Sequence, residues 1–121
     1  MTKKVLTVDD SRTMRDMLKL ALLNAGFEVS QAVDGMDGLE VLKSNRPDVI
    51  VTDINMPKLD GFGFIEAVRA SSEFRSIPIL VLTTERDDDK KSKARNAGAT
   101  GWIVKPFDPE KLISAIRRVA A

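Results

Sequence analysis

Residues 5–11 read Val5-Leu6-Thr7-Val8-Asp9-Asp10-Ser11, VLTVDDS: a short apolar run without polar alternation that ends on two adjacent carboxylates. Such a run suits a strand covered on both faces of a parallel sheet. Directly after it, Met14, Met17, Leu18, Ala21, Leu22 and Ala25 recur at helical spacing, with Ser11 as N-cap and Gly26 as terminator. A buried strand leading straight into an amphipathic helix is the repeating unit of α/β architecture. The acidic pair at the junction raises a second question, because like charges about 4 Å apart repel by roughly 4 kcal/mol near a protein surface. Two such groups side by side point to a task that offsets the repulsion.

The same unit recurs outward from this stretch. Apolar runs follow at Phe27-Glu28-Val29-Ser30-Gln31-Ala32, the weakest, then at Val49-Ile50-Val51, Ile77-Pro78-Ile79-Leu80-Val81-Leu82 and Trp102-Ile103-Val104. Between and after them, helical spacing appears in Met36, Leu39 and Leu42, in Phe64, Ile65 and Val68, and in Leu112, Ala115, Ile116 and Val119. Strand and helix therefore alternate five times, and right-handed crossovers predict a doubly wound (βα)5 fold with helices on both faces of a parallel sheet. No linker, repeat or low-complexity segment interrupts the pattern, so a single domain over residues 1–121 is expected.

The fourth helical segment, Arg86-Asp87-Asp88-Asp89-Lys90-Lys91-Ser92-Lys93-Ala94-Arg95-Asn96-Ala97, is different. Its acids lead and its bases follow, matching the helix macrodipole, but only Ala94 and Ala97 offer apolar contact. Weak docking is predicted, either as a plain solvated face or as a mobile element that a partner can bias.

Composition narrows the chemistry. With 43% hydrophobic and 31% charged residues in 121, the chain can bury a core without staples. It holds no Cys and no His, which excludes disulfides, thiol nucleophiles, imidazole bases and phosphohistidine on this chain. Chemistry must run on carboxylates, hydroxyls, amides and Lys. The net charge of +1 comes from dispersed Lys and Arg, so neither nucleic acid nor an anionic membrane is called for. No apolar run has transmembrane length, and Lys3-Lys4 runs directly into a strand rather than a signal sequence, so a cytoplasmic setting is expected.

In an open parallel sheet, ligands sit beyond the carboxyl ends of the strands where strand order reverses. The predicted strand ends carry Asp9 and Asp10, Asp53, Thr83 and Thr84, and Lys105; Asp34-Gly35 after the second strand reads as turn chemistry. Singly each has an ordinary explanation: Asp10 as a helix cap, Thr83 bonded to local backbone, Lys105 as a surface charge. Together they make one pocket with three carboxylates against one ammonium. All-oxygen ligation suits Mg²⁺, or Mn²⁺ in its place, held by Asp9, Asp10 and Asp53 with help from the backbone carbonyl of Asn55. A carboxylate beside such a cation is a reasonable nucleophile toward phosphorus, with Thr83 and Lys105 left to bind phosphoryl oxygens. Met56-Pro57 and Asp60-Gly61 read as the turn that sets the third helix.

These residues carry a family resemblance. VDDS at 8–11, TDINMPKLDG at 52–61, LTTE at 82–85 and GWIVKPF at 101–107 resemble the receiver domains of two-component response regulators, over essentially residues 3–119. The resemblance implies a flavodoxin-like sheet of order 2-1-3-4-5 and a cis Lys105-Pro106 bond. It also implies that Asp53 is phosphorylated by a histidine kinase, with Mg²⁺ on Asp9, Asp10, Asp53 and the Asn55 carbonyl. Thr83 would be the switch hydroxyl and Lys105 the phosphate partner. The switch aromatic, usually Tyr or Phe, is here Trp102, for which a packed core Trp is the alternative.

Among such proteins, Ser11-Arg12-Thr13-Met14-Arg15 and Thr84-Glu85 are most similar to single-domain chemotaxis regulators of the CheY type. That similarity implies a CheA-type kinase and docking on a flagellar motor switch protein or a phosphatase, through the surface of the fourth helix, fifth strand and fifth helix, without an output domain. Lys91-Ser92 stand where a motor-binding regulator is expected to be apolar. The alternatives are a phosphorelay intermediate or phosphate sink, a cation-stabilised binding module, and an aspartyl-phosphate hydrolase of the haloacid dehalogenase type. The last family places a second Asp two residues after its nucleophile, where this chain has Asn55, which has no carboxylic proton to donate. The expected protein is a signalling switch, not an enzyme with a turnover substrate.

Overall fold

A computed structural model describes residues 2–120. Five strands alternate with five helices: β1 (Lys4–Val8), α1 (Arg12–Asn24), β2 (Glu28–Ala32), α2 (Gly35–Ser44), β3 (Val49–Thr52), α3 (Gly61–Ala70), β4 (Ile79–Thr83), α4 (Asp88–Ala97), β5 (Gly101–Val104) and α5 (Pro109–Ala120). All strand pairs are parallel and the order is β2-β1-β3-β4-β5, as the family resemblance implies. Alternate residues of the sheet feed two cores. Leu6, Val8, Ile50, Ile79 and Val81 pack with α2, α3 and Ala94 of α4. Val5, Val49, Val51, Leu80 and Leu82 pack with Leu18 and Leu22 of α1 and Leu112 and Ile116 of α5.

The central strands β1, β3 and β4 are buried nearly throughout, which is why they read as unbroken apolar runs. Burial on both faces does not extend to β5, whose four residues are only half-buried. It lies at the sheet edge, and the helix beside it offers alanines instead of large apolar side chains. The fourth strand also starts later than its apolar run: Pro78 has no N–H, and its carbonyl accepts from Ile50 (2.9 Å) just before β4 begins at Ile79.

Helix caps follow the sequence closely. Ser11 accepts from the Met14 amide at the start of α1, and Gly26 follows that helix at φ 92°. Two apolar positions point the other way from the periodicity. Met17 is 51% exposed, because it lies about 100° around the helix from Leu18, at the rim of a stripe centred on Leu18 and Leu22. Met36 is 53% exposed, because α2 makes its close approach through Gly35, Gly38 and Leu42 instead. A Cβ on Gly38 would lie 2.8 Å from the Phe64 ring, so the glycine sets how closely α2 and α3 pack.

Weak docking of α4 is borne out in its composition of contacts. Ala94 is its only buried residue and Ala97 a half-buried second apolar contact, and its remaining ties are polar. Lys93 lies over the Phe62 ring at 4.4 Å, and Arg69 of α3 donates to Gly98 (2.9 Å) just past the helix end. The same guanidinium donates to the carbonyls of Arg75 (2.8 Å) and Ile77 (2.7 Å), so one side chain joins α3, the approach to β4 and the end of α4.

Candidate functional site

The order β2-β1-β3 puts the reversal of the chain between β1 and β3, and the tips of these strands carry the acids. Asp9 continues the ladder past β1 by donating its amide to Ala32 (3.1 Å). Its buried carboxylate accepts the Ser11 amide on Oδ1 (2.9 Å) and Lys105 Nζ on Oδ2 (2.8 Å). Asp53 is set the same way: its amide donates to Val8 (2.9 Å), Oδ1 accepts from the Ile54 amide (2.7 Å) and Oδ2 from Lys105 Nζ (2.9 Å). Asp10 is exposed, and among the described residues its carboxylate makes no ion pair. Ser11 caps α1, so the alternative role of Asp10 as that cap is not taken up.

Lys105 follows β5, donates its amide to Thr83 (2.8 Å) and precedes the cis bond to Pro106. Its side chain is 9% exposed, which rules out a plain surface charge. Burial pulls the ammonium down, but its hydrogen bonds and charge attraction to Asp9 and Asp53 win and hold its pKa above the ordinary value. Oxygen atoms of Asp9, Asp10 and Asp53 lie within 4.8 Å of one another. Three carboxylates against one ammonium leave net negative charge in a hard, all-oxygen donor set. The Asn55 carbonyl accepts no hydrogen bond among the described residues and is a further free oxygen two residues beyond Asp53. These residues fit a small divalent cation.

The loop after β3 is shaped to keep Asp53 at the mouth. Asp60 caps α3 by accepting from Gly63 (2.9 Å), Gly61 donates to Ile54 (2.8 Å), and a β-carbon at Gly61 would collide with the Asp53 carbonyl. Thr83, buried at the tip of β4, accepts the Glu85 amide on its hydroxyl oxygen (3.3 Å), leaving the hydroxyl proton free to donate. Asn55 Nδ2 donates to Glu85 Oε1 (3.0 Å), which also pairs with Lys90 at 3.0 Å. The Asn55 hydrogen bond and then Lys90 keep the Glu85 carboxyl below its usual range. A polar bridge thus runs from the β3–α3 loop to α4.

Trp102 stands apart from the carboxylates. It pairs in register with Val81, is half-buried, and packs on the α2–α3–α4 side together with Ala94, Ala97 and Ala99. Thr83 lies two residues beyond Val81 on the same face of the sheet, so hydroxyl and indole share the α4 side. A shallow cavity of about 370 Å³ opens there, lined by Lys91, Ala94, Arg95, Thr100 and Trp102 among others. Sequence reasoning missed Arg15, whose Nη1 donates to the Asp9 carbonyl (2.7 Å); a lone Arg in a helix's first turns carries no sequence signal for such a contact.

Known proteins share this arrangement. Residues 5–117 match the response regulator receiver domain model. The chain is 38% identical to chemotaxis protein CheY of Pseudomonas aeruginosa, covering 96% of this chain and 94% of that protein. It is 37% identical to a probable transcriptional regulator, ycf27, of Porphyridium aerugineum over 97% of this chain, but spans only about half (48%) of that regulator's length. The structure of the chemotaxis response regulator CheY4 of Vibrio cholerae superposes with a TM-score of 0.92 at 47% identity, covering 98% of this chain and 99% of that one. No helix among the described residues is long and apolar enough to cross a membrane. With its sheet order, acidic strand tips and cis Lys-Pro corner accounted for, the chain belongs to the response regulator receiver domain family, signalling proteins that interact with histidine kinases.

Proposed function

We propose that this receiver is a phosphorylation switch in which Asp53 accepts a phosphoryl group from a phosphohistidine on a kinase. The observation that carries the reading is the Lys105 ammonium bridging Asp9 (2.8 Å) and Asp53 (2.9 Å), with Asp10 beside them. Asp9, Asp10, Asp53 and the Asn55 carbonyl are the residues to hold Mg²⁺, or Mn²⁺ in its place. Such a cation neutralises the crowded carboxylates and the incoming phosphoryl oxygens.

The protein's own groups then act in sequence. Ile54 N–H on Oδ1 and Lys105 on Oδ2 hold the Asp53 carboxylate in one orientation. One Asp53 oxygen forms the new O–P bond as the donor's N–P bond breaks, and the imidazole leaves with the electron pair. The phosphoryl group adds about −1.5 to −2 charges by analogy with other phosphorylated side chains. Lys105 exchanges a carboxylate for phosphoryl oxygens, and the free Thr83 proton donates to another. Hydrogen bonds to charged groups contribute about 1.5–3 kcal/mol each. Two or three approach the roughly 5.5 kcal/mol needed to move a 1:99 equilibrium to 99:1. Drawing Thr83 inward frees space on the face it shares with Trp102 and reshapes the α4–β5–α5 surface.

The likeness to chemotaxis proteins supports a role in chemotaxis, with a CheA-type kinase as donor and a flagellar motor switch protein or a phosphatase as partner. An aspartyl-phosphate hydrolase is disfavoured because Asn55, at the position its general acid would need, is committed to Glu85.

Intact mass after incubation with acetyl phosphate, with and without Mg²⁺, tests the chemistry. One Mg²⁺-dependent phosphoryl adduct is expected in wild type and none in Asp53→Asn, with a change in Trp102 fluorescence. No adduct from this donor or from a panel of histidine kinases would reduce the site to a cation-binding cluster. The coupling has its own test: Thr83→Ala should be phosphorylated yet gain no partner affinity, and a normal gain would refute it.

A further inference from the structure

We infer that Arg15 is a positioning residue for the cation site, acting on Asp10 through the Asp9–Asp10 peptide. The inference rests on the proposed Mg²⁺ site. Arg15 closes the first turn of α1, half-buried, close to a strongly acidic cluster. Even so, among the described residues it forms no ion pair; Nη1 donates instead to the main-chain carbonyl of Asp9 at 2.7 Å. That length is at the short end for N–H···O and marks a charge-assisted bond.

The target explains the geometry. Asp9 is already anchored by its amide to Ala32 and by its carboxylate to Ser11 and Lys105. Its carbonyl belongs to the planar peptide unit that carries the Asp10 nitrogen, so fixing that oxygen fixes the plane from which Asp10 projects. Asp10 has no such anchors of its own: its carboxylate is exposed and unpaired among the described residues. The direction in which its side chain leaves is therefore governed by the backbone, and Arg15 is the side chain that holds the peptide plane on its N-terminal side. Arg15 is in turn held from behind, its amide donating to Ser11 (3.0 Å) and its carbonyl accepting from Gln31 Nε2 of β2 (3.1 Å). Strand β2 thus braces the α1 residue that grips the peptide leading to Asp10.

Charge alone predicts the opposite sign. A guanidinium near the acids repels a divalent cation, so its removal would tighten binding if charge were its only effect. Positioning predicts weaker binding, since losing a group that orients a metal ligand typically reduces affinity about 10–100-fold.

Calorimetric titration with MgCl₂ alone, on wild type, Arg15→Met and Arg15→Lys, decides between them, with Tm in EDTA recorded for each. The expected result is a Kd for Mg²⁺ raised about tenfold in Arg15→Met, with most of the affinity restored in Arg15→Lys, which keeps a donor on a long stem, and no matching trend in Tm. Unchanged or tighter binding by folded Arg15→Met overturns the positioning role, as does equal weakening in Arg15→Lys. If Arg15→Met does not fold, Arg15→Gln, too short to reach the carbonyl, is read by the same criteria. Wild type that takes up no Mg²⁺ is a separate result: it removes the proposed cation site, and the role of Arg15 with it.

Discussion

Helices α4 and α5 lie on opposite faces of the same edge of the sheet, and they are held in different ways. α5 buries Leu112 and Ile116 completely among Leu80, Leu82, Val49 and Val51. α4 buries a single alanine, packs a half-buried second one, Ala97, on the core, and otherwise relies on Lys93 over Phe62, Lys90 with Glu85, and the Arg69 bond to Gly98. Apolar burial is non-directional and has few alternatives of equal energy. Polar ties at a surface can be exchanged for water or for new partners at little net cost. β5 therefore has one rigid flank and one that can rearrange, and Lys105 leaves its end directly into the acidic cluster. A charge change at Asp53 would be felt mainly on the α4 side, where Thr83 and Trp102 share a face.

The contrast can be broken most directly by cavity formation. Leu112→Ala should destabilise the fold by about 2–5 kcal/mol, read as a shifted urea midpoint. A loss well under this range would mean that α5 is no firmer than α4. A smaller effect sharpens the role of the corner between them. The Lys105 pKa is raised in the folded state, so its stabilisation is complete below the unfolded value near 10.5 and fades as pH rises through the folded pKa. Urea midpoints of wild type should fall more steeply above pH 10.5 than those of Lys105→Met; parallel curves would show that the ion pairs add no stability.

The smallest change in stability is expected at Lys90. Lys90→Met removes only a half-exposed pair with Glu85 at the surface, so the urea midpoint should hardly move. Amide exchange in α4 should nevertheless accelerate while α5 stays protected. Equal protection of both helices would erase the distinction.

Local signals were legible wherever a residue's own chemistry decides its place. VLTVDDS already contains a buried strand, a helix cap at Ser11 and an acid pair at the junction, because alternation, capping and charge are short-range properties. Asp9, Asp10, Asp53 and Lys105 could be grouped because strand ends of one parallel sheet meet at one edge, and the structure does bring them together. Met36 and Met17 were misjudged for the complementary reason: helical period gives the apolar side but not which rim meets a neighbour, and on α2 two glycines made that choice. The half-exposure of β5 likewise depends on strand order and on what α4 offers it.

The sequence by itself determined the element types, the caps, the two-sided burial of the inner strands and the chemistry available, since these follow from side chains and their nearest neighbours along the chain. Only the tertiary structure decided that Lys105 bridges Asp9 and Asp53 across 96 and 52 residues, that Asn55 reaches Glu85, and that Arg15 grips the Asp9 carbonyl. Hydrogen bonds demand partners within about 3 Å and in line. That condition is met in space, and the order of residues along the chain does not record it.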